Sequence, residues 1–180
     1  MQVSVYEVAD QKAALRKLGE LIEKSTIDPL VRNAALAITR DCDSRDDECE
    51  IHAVFNAVKT GTDQVKGLEK GLKYMSDPRW ADFFTSPSRM LKQAASMGYV
   101  AEDCDGHSAL LCALLGSLGF VVGLRAWGRT PGEFTHVYAV VGLPKISPTE
   151  LVGLDTTVEE SGPGWEPPEG HVLTALLDGR

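Results

Sequence analysis

Apolar residues recur at three- and four-residue intervals through the first part of the chain and in short β-branched runs through the rest. Ala14, Leu15, Leu18, Leu21 and Ile22 mark an amphipathic helix, with Asp10 placed as its N-cap. Asp28-Pro29 opens a second helix with Pro at its first position, Leu30, Ala34 and Ile38 on one face, and an end near Arg40. After the acidic loop 41–50, Ile51, Val54, Phe55 and Val58 mark a third helix that stops at Gly61. Val65, Leu68 and Leu72 also fall at helical spacing, so 62–75 is expected to be helical, although Gly67 and Gly71 each cost about 1 kcal/mol against Ala. Ser76-Asp77-Pro78 breaks the chain, and Trp80, Phe83 and Phe84 read as an aromatic packing cluster. Ser86-Pro87 starts a helix through Met90, Leu91, Ala94 and Met97, with Gly98 as its stop. A further helix begins near Cys104. It buries Ala109, Leu110, Ala113, Leu114 and Leu118 on one face and ends at Gly119 as a left-handed cap.

Beyond Gly119 the period shortens. Residues 120–127, 134–141 and 150–157 read as strands, separated by a turn at 128–133 and a connector at 143–149. Residues 159–170 hold several Gly and Pro and read as irregular, and 171–177 as a short closing strand or helix. Gln2 to Val8 reads as a short strand or extended arm. Helices first and strands later predict an α+β fold with an antiparallel sheet. We expect one domain over 1–180: a helical part at about 10–118, a sheet part at about 119–157 and an irregular C-terminal segment at 158–180.

Composition narrows the partners. The chain has 180 residues, 43% hydrophobic and 24% charged, with a net charge of −8. An acidic chain with a pI near 5.0 argues against nucleic acid or an anionic membrane as the main partner. No apolar run reaches the roughly 18 residues of a membrane span. The first residues lack a basic start and a long apolar stretch, so the expectation is a cytoplasmic protein without a signal peptide. In that setting Cys42, Cys49, Cys104 and Cys112 are expected as free thiols.

Three residues combine into chemistry. A cysteine in the first turn of a helix lies near unpaired N–H groups and the positive end of the helix dipole, which favour thiolate. Those groups suit the oxyanion formed when a thiolate attacks a carbonyl. Asp103 and Asp105 read as caps of that helix, although a carboxylate beside the thiolate opposes its ionisation. His136 lies in Phe134-Thr-His-Val-Tyr-Ala-Val-Val141 and is the best base; Tyr138 shares its face. Asp155, in Leu151-Val-Gly-Leu-Asp-Thr-Thr157, is the best group to orient it, opposite His136 if the two strands pair antiparallel. Taken singly, Cys104 also fits a buried structural cysteine, His136 a plain strand residue, and Asp155 a turn residue. His107 shares the helix face of Cys104 and is a candidate to line the cleft. Gln93 and Tyr99 are candidate second oxyanion donors. The Cys49/His52 and Cys104/His107 pairs lack the spacing of a zinc module, so no metal and no cofactor are expected. Gly162-Pro-Gly-Trp165 suits either a cover over the cleft or a fixed surface loop.

The block Glu102-Asp-Cys-Asp-Gly-His-Ser-Ala resembles the Gly-Asp-Cys-Asp-(Asp/Glu)-His/Phe-Ser/Ala motif of transglutaminase-like proteins. Thr135-His-Val-Tyr-Ala is similar to that family's His-Val-Tyr strand, and Leu154-Asp-Thr-Thr to its Leu-Asp-Pro-Thr strand. Leu118-Gly-Phe-Val-Val looks like the helix exit, and Lys73-Tyr-Met-Ser-Asp-Pro78 like a segment common before the motif. The nearest likeness is to short single-domain members from tailed phages and prophages. The resemblance is specific in the three blocks and diffuse over about 28–170. Glu102 departs from the motif's Gly, and Thr156 stands where Pro is common.

The resemblance implies a papain-like core, a Cys104–His136–Asp155 triad, and acyl transfer from peptide or side-chain amides through a thioester. In so short a chain no separate lysine-binding domain is present, which favours hydrolysis (peptidase, amidase or deamidase) over cross-linking. The implied partners are protein or peptide substrates, with phage structural proteins among the candidates and the virion as a possible location beside the cytoplasm. The alternative is a catalytically inactive papain-like module that serves phage assembly or protein binding.

Overall fold

The computed structural model describes residues 5–6, 11–77 and 82–177. The Asp10 cap and Trp80 lie outside them. In chain order the elements are β1 (Val5–Tyr6), α1 (Gln11–Thr26), α2 (Pro29–Ile38), α3 (Asp47–Lys59), β2 (Lys73–Tyr74), β3 (Asp82–Phe83), α4 (Pro87–Met97), β4 (Ala101–Glu102), α5 (Cys104–Ser117), β5 (Val122–Gly128), β6 (His136–Leu143), β7 (Glu150–Leu154) and β8 (His171–Leu177). The fold is α+β. Among the described residues, five helices accompany a four-stranded antiparallel sheet of order β7-β6-β5-β8. β1 pairs antiparallel with β3, and β2 pairs parallel with β4.

Helix α5 is the centre. Every residue from Gly106 to Leu115 is buried, His107 and Ser108 included, so the helix is buried all round rather than on one face. It contacts all four other helices on one side and β5 and β6 on the other. Each of its fully buried leucines contributes about 1.5–3 kcal/mol of burial. Its start is held against the sheet by Ser108, whose Oγ donates to Cys104 O at 2.7 Å and lies 3.2 Å from Val137 O.

Several helix boundaries follow from local chemistry. The Asp28 carboxylate accepts from Leu30 N at 2.8 Å and caps α2, with Pro29 following. Gly98 closes α4 at φ 79°. The buried face of α2 is turned from the expected one: Val31, Ala34, Ala35 and Ile38 face the core, and Leu30 is 37% exposed. Met97, expected on the buried face of α4, is likewise exposed.

Segment 62–75 is not helical. It runs in turns and ends in β2. Gly67 has φ +87°, and a Cβ there would lie 2.0 Å from Ala94 O. Close packing on α4 therefore overrides the spacing of Val65, Leu68 and Leu72, two of which are buried without a helix. The last strand of the reading, 150–157, stops at Leu154, and the C-terminal segment is not wholly irregular: 171–177 forms β8 and pairs with the full length of β5.

Cys42 and Cys49 are joined in a disulfide, which corrects the expectation of four free thiols. The turn before α3 brings their Cα atoms to 5.7 Å, and the Asp46 N-cap accepting from Cys49 N at 2.9 Å fixes that turn. The loop is tied to the β6–β7 connection, where Lys145 N donates to Asp47 Oδ2 at 2.7 Å and Lys145 Nζ pairs with Glu50. Thiol titration of the denatured, unreduced chain should therefore find two thiols, Cys104 and Cys112, and four after reduction. Four before reduction would remove the disulfide.

No helix among the described residues is long and apolar enough to cross a membrane.

Candidate active site

Cys104 opens α5 directly after Asp103, whose Oδ1 accepts from Asp105 N at 3.0 Å and Gly106 N at 3.3 Å. The expected cap is thus Asp103, while Asp105 lies in the first turn. Glu102 packs over that turn. A Cβ on Gly106 would fall 2.3 Å from Glu102 Cβ, so the large residue at 102 requires the small one at 106. Burial raises the Glu102 carboxyl to about 7, with Asp103 and Asp77 adding to the rise.

His136 begins β6, and Asp155 follows the last residue of β7. The ladder pairs Ala139 with Leu154 and then ends. Continued, it would set Asp155 beside Tyr138, so Asp155 is diagonal to His136 rather than opposite. The chain bends there, and Asp155 Oδ2 lies 2.6 Å from His136 Nε2. Asp155 is 1% exposed. Its Oδ1 accepts from Thr157 N at 2.9 Å and Thr157 Oγ1 at 2.7 Å. Burial pushes this carboxyl up, but the bonds from His136 and Thr157 outweigh it and hold it below its ordinary value. An ionised carboxylate only accepts, so Nε2 carries the proton and Nδ1 is left as the acceptor.

Cys104 and His136 line one cavity of about 270 Å³, together with Gln11, Phe134 and Thr135. The Val137 backbone N–H faces the sulfur. The thiol itself is 3.9 Å from Asp105 Oδ1, and its bond goes there rather than to the imidazole. Burial, then Asp105 and Asp103, push the thiol up to about 12. The helix start does not compensate: two of its N–H groups are taken by Asp103, and two carboxylates flank the sulfur.

The other candidates fall elsewhere. His107 does not line the cavity. It is 3% exposed, with Nδ1 2.9 Å from Thr156 Oγ1, Nε2 buried, and the Lys73 backbone facing the ring. Burial lowers it to about 4, so the ring is neutral. Tyr138 shares the His136 face as expected, with ring centroids 6.1 Å apart, but it is buried and donates to Glu166. Arg125 Nη1 holds the other oxygen of Glu166 at 2.5 Å. Gln93 and Tyr99 lie away from the cavity, Gln93 on α4 and Tyr99 under Lys73 Nζ at 4.6 Å. Gly162–Trp165 covers the edge of β7, with Gly164 N donating to Gly153 O at 2.8 Å, and does not cover the cavity.

Two contributors were not singled out from the sequence. Tyr74 lies beside the His107 ring with much of its side chain in solvent, and the partial burial of its hydroxyl, then the charges of Cys104 and Asp103, raise that hydroxyl. Lys59 donates to Val158 O, Glu159 O and Ser161 O at 2.6–2.9 Å and so fixes the turn after Asp155. Nothing local marked Lys59, because it acts across a long sequence separation, and Tyr74 was marked only as part of the segment before the Cys104 block, with no role. Among the described residues no group of three or more His, Cys, Asp or Glu is placed to hold a metal ion.

Comparison of the chain with models of protein families, with curated proteins and with solved structures found no match.

Proposed function

We propose that this chain is a cysteine acyl-transfer enzyme of the transglutaminase-like class, with a papain-like core, that hydrolyses peptide or side-chain amides. The observation that supports it most is the shared cavity: Cys104 at the start of a buried helix and His136, whose ring is held from behind by the buried Asp155, open onto the same space. In this reading His136 Nδ1 takes the thiol proton as Cys104 Sγ bonds to the amide carbon. The imidazolium then gives that proton to the leaving amine, and a thioester remains. Water, deprotonated by His136, attacks the thioester carbon and releases the acid and the thiol. Asp155 holds the ring and balances its transient charge.

A second reading has one observation in its favour. A thiol held at about 12 and bonded to Asp105 is a poor resting nucleophile, which suits a catalytically inactive papain-like module. An amide-mimic peptide aldehyde separates the two. The enzyme reading expects a reversible adduct on Cys104 that is lost in His136→Ala; equal adduct formation in that variant would support the module. Simple alkylation reports the resting thiol instead. Its rate at Cys104 should rise about tenfold per pH unit from 7 to 10, because only the thiolate reacts. A plateau below pH 8 would show a preformed thiolate and contradict the raised thiol.

A further inference from the structure

Lys59 is the last residue of α3, where a lysine ordinarily serves the carbonyls of its own helix end. Here those carbonyls have other donors. Asn56 O accepts from Thr60 N and Gly61 N, and Val58 O from Leu72 N, at 2.8–3.0 Å. Lys59 Nζ lies 5.6 Å from the ring of the buried Phe55 and reaches the segment after Asp155. Four oxygens converge on it there: Ser161 O at 2.6 Å, Val158 O at 2.8 Å, Glu159 O at 2.9 Å and Ser161 Oγ at 3.0 Å. Carbonyl dipoles aimed at one point repel one another unless a cation that donates sits between them.

The segment closed in this way carries the carboxylate of the site. The ladder of β7 on β6 ends at Leu154, so the sheet does not hold Asp155. The bonds from Thr157 fix the carboxylate within its own turn, not relative to His136. The ties to the rest of the molecule come from two helices. On α5, His107 Nδ1 lies 2.9 Å from Thr156 Oγ1. On α3, Lys59 gathers 158–161, and Ser161 Oγ inside that turn donates to the backbone carbonyl of Asp155. Ser161 is 7% exposed, so water is a poor substitute for the ammonium at this point.

We propose that Lys59 is a positioning residue for the His136–Asp155 pair: through Ser161 it sets where the carboxylate stands. Without it the pair loosens, although every residue of the site is still present. The effect on hydrolysis rests on the reading of Cys104 as a nucleophile; the effect on the pair does not. A lysine that served stability alone would lower the melting temperature and leave the pair intact in the folded chain.

The Nε2 proton of His136 reports the pair directly. In the wild type it should give an exchange-protected proton NMR signal downfield of the backbone amides, as a bond to a buried carboxylate does. Lys59→Met keeps the length of the stem and removes the donors. In the folded variant the signal should be lost. Its kcat should fall at least tenfold with KM within twofold of wild type, because the carboxylate acts on the base and not on substrate binding. Lys145→Met removes a different tie to α3, the ion pair with Glu50, and should leave signal and kcat unchanged. If Lys59→Met does not fold, Ser161→Ala decides. It leaves the three carbonyls on Lys59 but cuts the link to Asp155, so the signal should weaken and kcat fall at least threefold. A wild type without the signal would overturn the proposal. So would a wild-type signal in folded Lys59→Met or in Ser161→Ala, or loss of the signal in Lys145→Met. A wild type that shows the signal but hydrolyses no amide would instead remove the enzyme reading, and the NMR comparison would still decide the role of Lys59.

Discussion

Cys104→Ala is expected to abolish amide hydrolysis, lowering the rate by about 10⁴-fold or more, and to remove the aldehyde adduct. No other thiol can take over: Cys42 and Cys49 are paired, and Cys112 is 0% exposed, with its thiol donating to Gly123 O. The fold should survive. The sulfur lies at the cavity wall, and its one side-chain bond, to Asp105, is weak. The first turn of α5 is held by Asp103 and Ser108, which the substitution leaves in place. The cost in stability should stay within about 1 kcal/mol, as for a small side chain at a partly open position. Steady-state hydrolysis and a thermal melt of the same preparation check both parts. A rate near wild type in the alanine variant would end the nucleophile assignment, and a lost melting transition would make Cys104 a structural residue.

The features legible in the sequence were those written in neighbouring residues. Asp28-Pro29, Ser86-Pro87 and Gly98 bound their helices because a capping carboxylate at Asp28, a proline at the first helical position and a left-handed glycine each act within one turn; Ser86 itself makes no side-chain cap bond. The pairing of 122–128 with 136–143 followed from two β-branched runs separated by a turn. What escaped depends on contacts between distant segments. The apolar spacing at 62–75 is the same in a helix and in the observed turns, and the backbone of α4 at Ala94 decides between them. Cys42 and Cys49 needed a turn that brings them together, which composition does not report. β8 was obscure because its partner, β5, precedes it by about fifty residues. At the site, the residue types were legible and their surroundings were not. Helix α5 placed Cys104, but its burial and the aim of Asp105 reversed the expected ease of ionisation. His107 shared a helix face with Cys104 in sequence, yet the bend after β7 draws it to Thr156. The fit of Glu102 over Gly106 emerged only from their contact.

Asp155→Asn is expected to lower hydrolysis by about 10⁴-fold while most of the fold remains, and its stability cost should depend on pH. Asparagine keeps the shape of the side chain, but its amide can present an N–H to Nε2. The proton then moves to Nδ1, the nitrogen that must accept from the thiol. The same substitution weakens three bonds at a site that is 1% exposed: those from His136, Thr157 N and Thr157 Oγ1. Bonds to a buried charge are worth roughly 1–3 kcal/mol each in comparable settings, so a loss of a few kcal/mol is expected near neutrality. The sign of the pH dependence follows from the lowered carboxyl. Its folded value lies below the unfolded one, so in the interval between them the unfolded chain binds the extra proton. The stability it contributes is present in full above the ordinary carboxylate value. It declines as the pH falls through the interval and is gone below the folded value. The melting difference between wild type and Asp155→Asn should therefore hold above about pH 5 and shrink below about pH 4. Melts from pH 3 to 7, with hydrolysis measured at pH 7, check the two halves separately. A difference that persists undiminished at pH 3 would show that the carboxylate's charge is not what stabilises this turn, and an unchanged rate would remove Asp155 from the triad.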